Sequence, residues 1–284
     1  MPSDYFTAGL EAFAGTVSTF SRELSSKVLG LLALSLLIVL SPLRQSALPC
    51  QSQSHAAKHS FFGYGFNTRV SLHLFGRIYA YLSQLMFNHH YDVLDDEVLH
   101  DLGDTPVIYI SNHQSSLDLS TLGAVLLGKC PIMVKTSLRY VPFVGLFLWL
   151  SNAFFVDRKN HSKALATTAA LAKFMQETRL SVLIYPEGTR SGFEEPALLP
   201  FKKGAFHIGL ETGFPIVPIV FSNTNHLFCP KRRRFEGGGM GIKVLRPIYT
   251  QGKTKENLQE IIDEAQSAML ECLKEISAFD YNKL

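Results

Sequence analysis

His113 and Asp118 stand five residues apart in the stretch "NHQSSLD", Asn112 to Asp118. On one continuous helix that spacing would set the two side chains about 140° apart, so they would not meet. If His113 instead occupies a turn and Asp118 the first turn of the helix after it, the imidazole folds back onto the carboxylate. The carboxylate then accepts the Nδ1–H, fixes the tautomer and leaves Nε2 free as an acceptor. A pair of this kind removes a proton from a hydroxyl as the hydroxyl attacks a carbonyl, a contribution of roughly 10²–10⁴-fold in rate. A plainer reading uses the same residues. Ser115 and Asp118 fit the S-x-x-D helix-capping pattern, in which the carboxylate receives backbone N–H groups and His113 has no role.

Three further stretches carry groups suited to an anion. In "YPEGTRSG", Tyr185 to Gly192, Pro186 and Gly188 make a turn, and Gly188 and Gly192 let the backbone approach a ligand closely. Arg190 offers a planar fork that matches phosphate oxygens. The plain alternative is a surface turn with a Glu187–Arg190 ion pair. Lys202 and Lys203 follow, to add positive potential or to solvate a helix start. In "KTSLRYVPFVG", Lys135 ends an apolar strand, and Pro142 and Gly145 break the apolar run that follows, which favours a buried or interfacial helix over a membrane span. In "FFVDR", Arg158 ends another strand and is a second candidate for a phosphate. For any one of these cations taken alone, a structural salt bridge is the commoner use.

Short branched, apolar runs predict the strands that hold these groups. They are Val107–Ser111, Ile132–Lys135, Ala153–Asp157, Val182–Pro186, Ile216–Phe221 and Ile242–Arg246. Helical patterns lie between several of them, over residues 162–179, 203–212 and 255–278, the first capped by Ser162. Strand–helix alternation implies an α/β fold whose sheet is covered on both faces. "NHQSSLD" and "YPEGTRSG" each follow a strand directly, the edge at which open α/β sheets bind ligands.

Ahead of this α/β region, residues 101–284, two other segments are expected. Residues 1–60 contain the uncharged run Val28–Leu43 between Lys27 and Arg44, just under the roughly 17–25 residues that cross a bilayer. A short or tilted membrane helix, a re-entrant anchor, a signal-peptide core and a buried helix all fit it; a retained anchor is the expectation carried forward. Residues 61–100 combine Phe61, Phe62, Tyr64 and Phe66 with an amphipathic pattern of Leu74, Ile78, Leu82 and Leu85. That suits a helix on a membrane surface, or one packed on its own domain. Composition agrees with contact to lipid: 46% of residues are hydrophobic and only 18% charged, against roughly 25% charged in ordinary soluble domains. A net charge of +3 is too mild to argue for nucleic acid. Cys50, Cys130, Cys229 and Cys272 form no CxxC pair, so neither a disulfide framework nor a zinc site is expected.

Taken together, "NHQSSLD", "KTSLRYVPFVG" with "FFVDR", "PEGTRS" and "FPIVPIVFSNT" resemble, in order and interval, the four motifs of the glycerolipid acyltransferase family: H-x4-D, K-x2-L-x3-P-x2-G with F-[VI]-D-R, E-G-T-R, and a late V-P-[IV] strand. The likeness spans about residues 61 to 250. It implies a mixed, largely parallel sheet with helices on both faces, plus N-terminal membrane-associated helices. It implies transfer of a fatty acyl group from acyl-CoA to the sn-2 hydroxyl of 1-acylglycerol-3-phosphate (lysophosphatidic acid), giving phosphatidic acid. Another lysophospholipid, or glycerol phosphate, is the alternative acceptor. His113 would be the general base and Asp118 its orienting partner. Glu187, Gly188 and Thr189 would form the acceptor loop, and Arg190, Lys135 and Arg158 would hold the phosphate. Backbone N–H groups at the helix start after His113 would meet the developing oxyanion. No metal, no cofactor beyond the acyl-CoA co-substrate and no nucleic acid are implied. The endoplasmic reticulum membrane is the expected location. Two other classes are weighed against this one. A serine hydrolase would want a G-x-S-x-G elbow, which is missing. A non-catalytic lipid-binding protein could use the basic run Lys231 to Arg234.

Overall fold

Side chains alternating between the two faces of the central strands build the described residues into three layers. In this computed structural model the described residues are 77, 80, 81, 83–85, 87–94, 97–125, 130–140, 148, 153–156, 161–229 and 232–279. All of them belong to the second of two units, Ala56–Leu284, the first being Met1–His55. The anchor expected at Val28–Leu43, the aromatic cluster Phe61–Phe66, and Pro142, Gly145, Arg158 and Lys231 lie outside the described residues.

The main sheet has five strands: β1 (His89–Leu94), β2 (Ile108–Ser111), β5 (Val182–Ile184), β6 (Ile216–Phe221) and β9 (Gly238–Val244). Their spatial order is β1-β9-β6-β2-β5. β2 runs parallel to both β5 and β6, and β1 parallel to β9, while β6 and β9 are antiparallel. A parallel bridge from Ile132 to Leu183 extends the sheet toward the parallel pair β3 (Met133–Lys135) and β4 (Phe154–Val156). The sheet is therefore mixed and largely parallel, as expected.

One face of the sheet presents Ile108, Ile110, Val182, Ile184, Ile216 and Val220 to α3 (His161–Thr178), α4 (Gly204–Thr212) and α5 (Leu258–Ser277). α5 buries Ile261, Ala265, Met269 and Leu273, an i, i+4 stripe that lays one side of a helix along the strands. The other face presents Tyr109, Leu183, Val217, Ile219 and Phe221 to α1 (Glu97–Leu102) and α2 (Asp118–Val125). Strands apolar on both sides are what a doubly covered parallel sheet requires.

Three elements depart from the sequence-based expectation. The segment 61–100, read there as helical, contributes the edge strand β1 and most of α1. Described residues from Arg77 to Phe87 are helical, with Ala80 and Ser83 buried and Tyr81 and Leu85 exposed. The last main strand begins at Gly238 rather than Ile242, because Gly238–Gly241 pair residue for residue with His89–Asp92. The approach is close: a Cβ on the neighbouring Gly237 would lie 2.4 Å from the Phe87 carbonyl oxygen. Lastly, the basic run falls in a hairpin of β7 (Phe228–Cys229) and β8 (Arg234–Phe235). Arg232 pairs with Glu194 there, and Arg234 with Glu236. Among the described residues no helix is long and apolar enough to cross a membrane.

Candidate active site

The carboxyl ends of the parallel strands β2, β5 and β6 converge on one edge, and the loops leaving them interlock. Beyond β2, the Asn112 side chain acts as an extra rung of the sheet. Its Nδ2 donates to the Phe221 carbonyl at 2.9 Å, and its Oδ1 accepts from the Phe221 N–H at 2.8 Å. Gln114 donates its Nε2–H to the carbonyls of Phe221 and Ser222, at 3.1 and 2.9 Å. These two amides staple the loop to β6 on either side of His113.

Asp118 opens α2, and its buried carboxylate collects the turn. Oδ2 lies 2.6 Å from His113 Nδ1 and accepts from the Gln114 N–H at 2.7 Å. The Ser115 N–H reaches Oδ1 at 3.1 Å. The cap and the imidazole partner are thus one carboxylate doing both jobs. An ionised carboxylate only accepts, so Nδ1 carries the proton and Nε2 of the neutral ring is the free acceptor. The N–H groups of Gln114, Ser115 and Leu117 are all taken, by Asp118 and by the Ser115 hydroxyl.

The loop after β5 holds the main chain of His113 from the other side. Glu187 Oε1 accepts from the His113 N–H at 2.7 Å, and Oε2 from the Leu199 N–H at 2.9 Å. The Ser191 N–H donates to the His113 carbonyl at 2.8 Å. Glu187 is only 2% exposed, and burial pushes its carboxyl above the ordinary value, although both N–H donors and His113 pull it down. Glu187→Gln would set an amide NH₂ against one of these two N–H donors. The expected loss is about 1–3 kcal/mol of folding stability, read by chemical denaturation. The loop's sharp turn places Gly188 at φ 70°, a conformation costly for any residue with a Cβ, and the Lys202 ammonium lies directly over it. Tyr185, the first residue past β5, stacks on the His113 ring.

Arg190 makes no ion pair with Glu187. It is exposed and donates from Nη1 to the Ser116 hydroxyl at 3.0 Å, beside the His113 turn. Thr189 is exposed next to it. Between the two loops opens a cleft of about 310 Å³, lined by Gln114, Ser115, Ser116 and Arg190, with Thr224 and Asn225 across from them. The far wall is braced: Asn223 Nδ2 donates to the carbonyls of Phe193 and Glu194. Lys135 is exposed at the end of β3 and does not line this cleft. Among the described residues no group of three or more His, Cys, Asp and Glu side chains is placed to hold a metal ion.

Sequence reasoning thus brought His113, Asp118, Glu187, Gly188 and Arg190 to one place, and it missed Asn112, Gln114, Ser116 and Tyr185. Period-two alternation running on past β2 would have flagged Asn112 and Gln114 as a pair facing away from His113.

This is an α/β protein with a His–Asp pair and an exposed arginine at the carboxyl edge of a mostly parallel sheet. The chain belongs to the acyltransferase family. Residues 90–222 match the family model described as Acyltransferase. Over 212 residues the chain is 36% identical to an uncharacterized acyltransferase of Schizosaccharomyces pombe, an alignment covering 75% of each protein. It is 38% identical over 200 residues to the 1-acyl-sn-glycerol-3-phosphate acyltransferase of Saccharomyces cerevisiae, across 70% of this chain and 65% of that protein. With the human 1-acyl-sn-glycerol-3-phosphate acyltransferase alpha it shares 38% over 172 residues, 61% of this chain and 60% of that one. The chain thus spans less than two thirds of the Saccharomyces cerevisiae and human proteins. The fold is that of the crystal structure of the 1-acyl-sn-glycerophosphate (LPA) acyltransferase PlsC from Thermotoga maritima. The TM-score is 0.58 at 23% identity, over 71% of this chain and 79% of that one.

Proposed function

We propose that the protein transfers a fatty acyl group from acyl-CoA to the sn-2 hydroxyl of 1-acylglycerol-3-phosphate, yielding phosphatidic acid and free coenzyme A. The observation that carries this reading is the 2.6 Å contact of His113 Nδ1 with Asp118, in the loop whose next three residues, Gln114 to Ser116, line a cleft together with Arg190. Nε2 takes the proton of the acceptor hydroxyl while its oxygen attacks the thioester carbonyl. The C–S bond then breaks, and the departing thiolate takes the proton back from the imidazolium. A thioester is already reactive, so aligning and deprotonating the alcohol supplies most of the catalysis and no acyl-enzyme is needed.

Arg190 grips the acceptor phosphate, with Arg158 as a further cation; Lys135, which does not line the cleft, is not needed for that grip. Glu187 positions the two loops rather than touching the lipid, since both its oxygens are spent on backbone N–H groups. The names of the yeast and human relatives support the acceptor. A membrane-lying enzyme, anchored through Val28–Leu43 in the endoplasmic reticulum, is supported by apolar side chains that the protein leaves uncovered: Tyr81 at 63% exposure, Leu85 at 68% and Tyr140 at 74%.

The test is a panel of lysolipid acceptors and glycerol phosphate offered with labelled acyl-CoA, the products identified by mass. Labelled phosphatidic acid, formed in preference to other diacyl lipids, is expected. Label released as free fatty acid would make the protein a hydrolase. Arg190→Ala is expected to raise KM for lysophosphatidic acid by roughly 10- to 100-fold, the worth of a charge-assisted hydrogen bond, while KM for acyl-CoA stays put. A change confined to acyl-CoA would move the phosphate assignment elsewhere.

A further inference from the structure

We infer that Tyr185 is a positioning residue for the base: its ring, stacked on the His113 imidazole, sets the direction in which Nε2 meets the acceptor hydroxyl. This rests on the reading of His113 as general base.

The two rings lie with centroids 4.2 Å apart and planes 21° from parallel, a stacked geometry. Asp118 holds His113 at one atom only. The last torsion of a histidine, about Cβ–Cγ, is broad, and a single hydrogen bond at Nδ1 restricts it only to that bond's angular tolerance, within which Nε2 still sweeps through an arc. A flat surface against the imidazole face removes that pivot. Nothing else among the site's named contacts does so, because Glu187 and Ser191 hold the His113 backbone and not its ring.

Tyr185 is itself well fixed for the task. It follows β5 directly, packs against the core beneath α1 and α2, and accepts the Gly188 N–H through its carbonyl at 3.0 Å. The same loop therefore holds both the main chain and the ring face of His113. Burial, with the Asp118 charge nearby, pushes the phenol well above its ordinary value, so the ring remains uncharged. The imidazolium formed in mid-reaction then lies against an electron-rich face, which favours it.

The inference separates the ring from the hydroxyl. Tyr185→Phe keeps the stack and is expected to retain kcat. Tyr185→Leu removes it and is expected to lower kcat by roughly tenfold with both KM values unchanged, because a misdirected base affects the chemical step and not binding. Tyr185→Met, which keeps bulk without a ring, stands beside it in case the leucine variant fails to fold. In the histidine NMR spectrum the ring-current shift of the His113 Cε1–H should persist in Tyr185→Phe and vanish in the other two. In a His113→Ala background, Tyr185→Leu should leave the residual rate where it is.

Three results would overturn the assignment while leaving His113 as the base. Tyr185→Phe as damaging as Tyr185→Leu would give the role to the hydroxyl. A tenfold loss that persists without His113 would make the ring merely structural. No loss in either ringless variant would leave Asp118 sufficient alone. His113→Ala at full turnover would remove the base reading and this one with it, whereas an impaired His113→Ala with an unimpaired Tyr185→Leu removes only the role of Tyr185.

Discussion

His113→Ala is expected to lower acyl transfer by at least roughly 10²-fold, with the fold and membrane association retained. The structure explains why these outcomes separate. The ties that His113 makes to the rest of the protein run largely through its backbone, from its N–H to Glu187 and from the Ser191 N–H to its carbonyl. Alanine preserves both. Truncation removes one hydrogen bond from Asp118, but that carboxylate still receives the Gln114 and Ser115 N–H groups and is not orphaned. The imidazole is 24% exposed and stacks on Tyr185, so a lowered melting temperature is expected beside the retained fold. Initial rates with labelled acyl-CoA, alongside a thermal melt and a vesicle-flotation assay, read all three quantities. Unchanged turnover would end the general-base assignment.

Asp118→Asn should cost as much in rate for a different reason. The carboxylate can only accept, and that fixes the proton on Nδ1. An amide can instead donate to Nδ1, which forces the proton onto Nε2 and leaves no base facing the substrate. In a Ser-His-Asp triad the equivalent change costs about 10⁴-fold, and a loss of roughly 10²–10⁴-fold is expected here. Asparagine also has one acceptor oxygen for three donors at a site only 2% exposed. A stability loss of about 1–3 kcal/mol should therefore accompany the rate loss. The combination is diagnostic. A variant that melts early yet keeps its kcat would reduce Asp118 to a helix cap, and the plainer reading of "NHQSSLD" would be the right one.

That stretch also shows how far the sequence alone reaches. Catalysis and capping were posed as alternatives, because five residues of spacing say which groups can meet but not how many one carboxylate serves. Folded, Asp118 caps the turn and meets His113 Nδ1 with the same carboxylate. The Glu187–Arg190 pair was plausible by proximity in sequence. It does not form, because Glu187 is drawn inward to the His113 N–H, 74 residues away, and Arg190 is left to reach Ser116. Strand β9 begins early for a similar reason: Gly238–Gly241 have little strand propensity, yet β1 supplies a partner for every one of them.

Local information was sufficient for what is local. Branched runs defined the buried strands, the 3.6-residue period defined α5, and four short motifs in order carried the family and most of the residues that now share one sheet edge. Only the tertiary structure decided which of those residues line the cleft and which brace the loops. Asn112 and Gln114 find their partners about 107 to 109 residues away, and Tyr185 meets His113 only because β2 and β5 are neighbours in the sheet. Contacts at such range depend on strand order, and strand order is settled when the two hydrophobic faces are buried together, an event that no window of neighbouring residues encodes.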